Sequence, residues 1–169
     1  MTYRYLLSRD LGVLDHIGCL GWVMLNPSTA DESRDDPTIR KVRGFTLRAG
    51  YGSFRVANLF PMRATSPKNL HAASEAERMG HPAEQADEAV ELLCRDSSAV
   101  VLAWGMHGGR YPKRVRRVAE IVVASGRPAY CILGQTRNGQ PRHPLMAPYA
   151  DLLVPVDEWV DHVAKGGRP

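Results

Sequence analysis

Residues 19–31 read CLGWVMLNPSTAD. The apolar run at 19–25, CLGWVML, is too short for a globular helix and suits a strand buried on both faces. It stops at Asn26-Pro27, where the proline holds Asn26 out of the helical region and forces the chain into a turn. Three further runs have the same character: 54–60 (FRVANLF), 99–104 (AVVLAW) and 129–133 (AYCIL). Helical spacing lies between them. Ile39, Val42 and Ala49 share one face of residues 37–49, with Asp36 as N-cap, Pro37 at the first helical position and Gly50 as the stop. Ala86, Ala89, Val90 and Leu93 recur at helical spacing, as do Val115, Val118, Ala119 and Val122 ahead of a Gly126 stop. Strand–helix alternation of this kind predicts an α/β fold: a three-layer sandwich around a central, mainly parallel four-stranded sheet. Residues near 3–7 and 152–154 are candidates for extra strands.

The chain has 169 residues, which favours a single domain (1–169) with a frayed tail from about residue 165. Hydrophobic residues make up 44% and charged residues 24%. That balance argues against disorder, a collagen-like fibre and a coiled coil. No apolar run approaches the roughly 18 residues of a membrane span, and the start lacks the apolar core of a secretory signal. Cys19, Cys94 and Cys131 show neither CxxC nor zinc spacing, so reduced thiols in a cytoplasmic protein are expected. The net charge of +4 permits a phosphate-bearing partner without demanding one. Nothing in the sequence calls for a cofactor or a metal ion, and it leaves the oligomeric state open.

In open α/β sheets the ligand sits beyond the carboxyl ends of the strands. Four segments therefore carry the candidate site. After the first run come Asn26, Pro27, Ser28 and Thr29; the amide of Asn26 could orient a water or a ligand, or simply tie down a turn. The second run holds Asn58, able to read a base edge with paired donor and acceptor or to bond a neighbouring loop, and leads to Arg63, a candidate phosphate or carboxylate contact. The third ends in Trp104 and Gly105, then His107, then a basic run with Arg110, Lys113, Arg114 and Arg117. Such a run is a phosphate or nucleic-acid contact or a solvated face. The turn matches neither a Walker A sequence nor GxGxxG, which excludes ATPases and the usual dinucleotide enzymes. The fourth segment carries Arg142, His143 and Leu145; His143 could donate to a developing anion or act as an acid. Asp31, Glu32, Asp35 and Asp36 form an acidic cluster that could hold a hard metal ion, although helix capping plus solvated charge is the commoner explanation of such a cluster.

Two resemblances rest on these motifs. From about residue 21 to 155 the chain resembles the family known as domain of unknown function 1643, through MLNPSTAD, DDPTIRK, GYGSFRVANLFPMRAT, VVLAWGMHG and GQPRHPL. More distantly, the order and placement of the motifs are similar to the uracil-DNA glycosylase superfamily. Asn26-Pro27 matches its water-positioning Asn-Pro motif. Asn58 corresponds to the base-reading Asn, Trp104-Gly105 to the end of the third strand, and His143-Pro144 to the loop whose His faces the leaving base. The sequence departs from that pattern at Ser28, where related glycosylases often have Gly, and at Leu145, where they have Ser.

The resemblance implies a nucleobase-acting enzyme that processes an N-glycosidic bond in DNA or a nucleotide, with Asn26 and His143 catalytic. The remaining strand-end residues would bind substrate. Arg110, Lys113, Arg114, Arg117 and Arg142 would hold phosphates, and Leu145 or Met146 would act as a wedge. Two other expectations stand beside it: a non-catalytic nucleic-acid or nucleotide binding module, and a hydrolase or transferase acting on an unrelated small molecule.

Overall fold

The computed structural model describes residues 1–31 and 34–169. Six strands form one sheet: β1 (Leu7–Asp10), β2 (Cys19–Met24), β3 (Ser53–Asn58), β4 (Ala99–Leu102), β5 (Ala129–Ile132) and β6 (Leu153–Pro155). The order is β1-β3-β2-β4-β5-β6. The central strands β3, β2, β4 and β5 run parallel, whereas β1 and β6 pair antiparallel at the two edges. The sheet is therefore six-stranded and mixed, not four-stranded as the buried runs suggest. The C-terminal addition, β6, falls near the 152–154 offered by the sequence, whereas β1 lies later than 3–7 because its LSRD carries polar residues and leaves no apolar run. Residues 3–7 contribute only the start of that strand. Tyr3 instead makes an isolated bridge to Met62, and backbone bonds from Arg4 to Pro61 and from Arg63 to Thr2 lash the N-terminus to the chain beyond β3.

Helices α1 (Pro37–Arg48), α2 (Pro67–Ala72), α3 (Glu75–Met79), α4 (Glu84–Arg95), α5 (Pro112–Ser125) and α6 (Asp157–Ala164) cover both faces. The chain steps from β2 outward to β3, then back past β2 to β4 and β5. Right-handed crossovers then require α1 on one face and α4 and α5 on the other. The strands sort their side chains accordingly. Leu20, Trp22, Met24, Phe54, Val56 and Val101 pack with Ile39, Val42 and Phe45 of α1. Val23, Ala57, Val100 and Leu102 pack with α4, α5 and α6 through Val90, Leu93, Val115, Val118 and Val160. Each large side chain so buried stabilises the fold by about 1.5–3 kcal/mol. Gly21 allows α4 its close approach, since a Cβ there would lie 2.5 Å from a Leu93 methyl.

The helix ends follow the sequence. Asp36 accepts from the Ile39 N–H at 2.9 Å, Pro37 opens α1, and Gly126 closes α5 in a left-handed conformation. Trp22, fully buried, satisfies its indole N–H on Thr46 Oγ1 at 3.1 Å. Because β2 has β3 on one side and β4 on the other, its carboxyl end is the point where the strand order reverses. A crevice opens there.

Candidate functional site

That crevice is a cavity of about 460 Å³ on the α1 side of the sheet. Its walls come from the ends of β2, β3 and β4, the start of α1, and the loop after β5. Asn26, Ser28, Thr29, Asn58, Trp104, Gly105, His107, His143 and Leu145 all line it, together with Arg4, Asp36, Thr65, Met106 and Met146. Four distant stretches of sequence thus converge on one space. Pro27, Arg63, Arg110, Lys113, Arg114, Arg117 and Arg142 do not line it.

Asn26 leaves β2 with its amide already oriented. Nδ2 donates to the Pro27 carbonyl at 2.9 Å and to the Ala64 carbonyl at 2.8 Å. Two carbonyl acceptors fix which end of the amide is nitrogen. Oδ1 is left with no donor among the described residues, so it is the atom Asn26 offers to a water or ligand. Pro27 is buried behind it and accepts from the Ala64 N–H at 2.9 Å.

Asn58 ends β3 opposite Met24 and is 4% exposed. Its Nδ2 is buried and has no hydrogen-bond partner among the described residues. A buried donor without a partner costs about 1–3 kcal/mol. Such a group in a cavity wall is unusual in a folded protein and calls for a partner inside the cavity, whether water, ion or ligand.

His143 is held by the loop that connects β5 to β6. Trp104 Nε1 donates to the buried Gln140 side chain at 2.9 Å, and the Gly105 N–H donates to the Pro141 carbonyl at 2.9 Å. Arg142 spans the loop, donating to the Leu133 carbonyl and pairing with Asp151 at 2.7 Å. Lys41 of α1 clamps the far end through the Ala147 carbonyl at 2.7 Å. Within this frame the His143 Nδ1 accepts the Leu145 N–H at 3.3 Å. The neutral ring therefore carries its proton on Nε2. Burial pushes the His143 pKa down to about 4, with Asp36 opposing and His107 adding to the shift. At neutral pH the ring is an uncharged hydrogen-bond donor.

His107 sits on the 3-10 turn after β4 and belongs to a chain of rings. Its Nδ1 lies 3.2 Å from His71 Nε2, and His71 Nδ1 lies 2.6 Å from the Tyr111 hydroxyl. Burial lowers the His71 pKa, with Arg110, His107 and Arg78 adding to the effect. A neutral His71 can pass its hydrogen bonds in either direction, which makes the inner nitrogen of His107 a donor in one polarity and an acceptor in the other. His71 reads from sequence as a surface residue, and only the docking of α2 beside the 3-10 turn reveals its partner. Arg4, which does line the cavity, also has no motif to announce it.

The basic run divides. Arg114 is buried, donates to the Leu59 carbonyl at 2.6 Å and pairs with Asp87. Arg117 pairs with Asp87 at 2.7 Å and lies near Glu91 and Glu120. These two charges, like that of Arg142, are engaged within the fold. Arg110 and Lys113 are exposed. Arg63 donates to the Ala30 carbonyl at 3.1 Å and the Ser28 carbonyl at 3.4 Å. In the acidic cluster Asp35 pairs with Arg9 at 3.0 Å and Asp36 caps α1, while Glu32 lies outside the described residues. No helix among the described residues is long and apolar enough to cross a membrane.

A family-wide match agrees with the first of the two resemblances. Residues 4–145 match the family described as Protein of unknown function (DUF1643), and the chain belongs to that family. The matched region includes every polar wall residue named above. No curated protein and no solved structure matches the chain.

Proposed function

We propose that the cavity binds a nucleobase and that the protein cleaves an N-glycosidic bond in DNA or a nucleotide, with the central parallel strands and their flanking helices forming a glycosylase-like sandwich. One observation carries this reading: Asn26 and Asn58, at the ends of β2 and β3, and His143, in the loop after β5, line one cavity, and each keeps a polar atom without a partner among the described residues. Asn58 presents donor and acceptor together, as recognition of a base edge requires. Asn26 Oδ1 orients a water. His143 Nε2–H faces charge that develops on the departing base, and a neutral donor serves this role without first needing a proton. As the C1′–N bond breaks, its electrons go to the base; water adds to C1′ and its proton ends on that base. The exposed side chains of Leu145 and Met146 at the rim supply an apolar wedge for a base leaving a stack.

A specific observation favours the non-catalytic alternative. Asp36, the carboxylate in the wall, is occupied by the Ile39 and Ala30 N–H groups, so it is not available as a strong base. An abasic-site assay decides between the two. Single- and double-stranded oligonucleotides carrying uracil, hypoxanthine or hydroxymethyluracil should yield abasic sites with the wild type and not with His143→Ala. Binding that survives His143→Ala with no cleavage by either protein would establish the binding module. Absence of both binding and cleavage would overturn the nucleobase reading.

A further inference from the structure

Arg4 and Arg63 are brought together by the antiparallel lashing of the N-terminus to residues 61–63. Both guanidinium groups donate to the same carbonyl, that of Ala30, at 2.5 and 3.1 Å. Neither forms an ion pair among the described residues, in contrast to Arg9, which pairs with Asp35 close by. Asp36 acts on Arg4 through space, but its two oxygens already accept backbone N–H groups. Arg4 Nε is buried and has no partner among the described residues. Burial first, and then the repulsion of Arg63, bring the Arg4 pKa down to about 10, so the group stays charged at neutral pH.

Two half-buried like charges sharing one carbonyl are a costly arrangement unless an anion completes it. Guanidinium forks suit the oxygens of a phosphate, and hydroxyls are its usual further partners. Ser28, Thr29 and Thr65 line the cavity wall beside Arg4, and their hydroxyls make no hydrogen bond among the described residues. We propose that Arg4 in the cavity wall and Arg63, which lies outside the lining but meets Arg4 at the Ala30 carbonyl, form with these hydroxyls a phosphate subsite at the edge of the cavity, so that the ligand is a nucleotide and not a free base or nucleoside. The subsite rests on the nucleobase reading for the rest of the ligand but not for the phosphate itself.

Calorimetric titration of the full chain with deoxynucleosides, their 5′-monophosphates and inorganic phosphate tests this. A monophosphate should bind roughly tenfold to a hundredfold more tightly than its nucleoside, the worth of one or two charge-assisted hydrogen bonds. Arg63→Gln should erase that advantage and leave nucleoside affinity unchanged, and Arg4→Gln should erase it as well; Arg4→Lys, checked by thermal melting, should keep part of it if the glutamine variant fails to fold. A short single-stranded oligonucleotide separates the two sources of phosphate. A salt dependence steeper than that of the monophosphate points to a strand, and an equal one to a free nucleotide. Binding of inorganic phosphate that depends on Arg63, with no binding of any nucleoside or nucleotide, would support the subsite and overturn the nucleobase reading. Equal affinity for nucleoside and monophosphate, indifferent to Arg63→Gln, would overturn the subsite and leave the nucleobase reading intact. No binding of any of these ligands would overturn both.

Discussion

A Cβ placed on Gly105 would lie 3.0 Å from the Cβ of His143, so the turn after β4 and the loop after β5 meet closely at this position. Gly105 has φ 72° and ψ −175°, a conformation essentially reserved for glycine. Its N–H also holds the His143 loop through the Pro141 carbonyl. Gly105→Ala should therefore cost about 1–3 kcal/mol of stability and displace His143. Urea denaturation reads the first effect and ligand titration the second. An unchanged midpoint with unchanged binding would show that the contact between turn and loop has no role in holding the site.

The neutral state of His143 has a pH signature. Its folded pKa, about 4, lies below the ordinary histidine value near 6.5. Between these values the unfolded chain binds a proton that the folded one rejects, so stability falls as the pH drops through that window. The full shift corresponds to at most about 3 kcal/mol, less whatever solvent reaches the half-buried ring. His71 is shifted in the same direction, so the test is a difference between proteins. His143→Gln should flatten the decline in melting temperature from pH 6.5 to 4 relative to wild type. Parallel curves would mean that the ring is protonated as readily in the folded chain as in water.

How legible the fold was depends on the length of each element and the cause of its pattern. The four central strands and α1, α4 and α5 bury long apolar stripes, which leave a period in the sequence. Helices α2 and α3 are too short to show one; Ser74 and Glu77 of α3 form a capping box, a local signal with no apolar face behind it. Strand ends pointed to Asn26 and Asn58 because topology sends the parallel strand termini to one edge of the sheet, and to His143 because the loop after β5 folds back over that edge. Arg4 was invisible for the opposite reason. It reaches the cavity through an isolated bridge at the sheet edge, which is a tertiary event with no local spacing. The run from Arg110 to Arg117 looked uniform, yet helical geometry turns Arg114 inward while Lys113 stays exposed.

That inward turn predicts which arginines are structural. Burial works against ionised Asp87, but hydrogen bonds and charge from Arg117 and Arg114 together hold its carboxyl below the ordinary range. Removing Asp87 leaves Arg114 as a buried charge with only the Leu59 carbonyl for company. Asp87→Ala should cost roughly 3–5 kcal/mol. Arg110→Ala and Lys113→Ala, both on exposed positions, should leave the melting temperature within about a degree or two. If instead Asp87→Ala melts like the wild type, Arg114 has found solvent and its charge is free to act elsewhere.

Asn58 supplies the sharpest separation of stability from function. Its Nδ2 is a buried donor with no acceptor among the described residues, and Met24, Val56 and Ile39 make part of the cavity wall apolar. Asn58→Leu removes the unsatisfied group and replaces it with a side chain of similar size that the wall can pack. The variant should be more stable than the wild type by about 1–2 kcal/mol, and it should lose ligand binding at the same time. Asn58→Ala, which leaves a void instead, should forfeit the gain. Chemical denaturation of the three proteins, each with and without ligand, measures both effects. A destabilised Asn58→Leu would mean that the amide is satisfied by water inside the cavity, and Asn58 would then be a structural anchor and not a group held in readiness for a base.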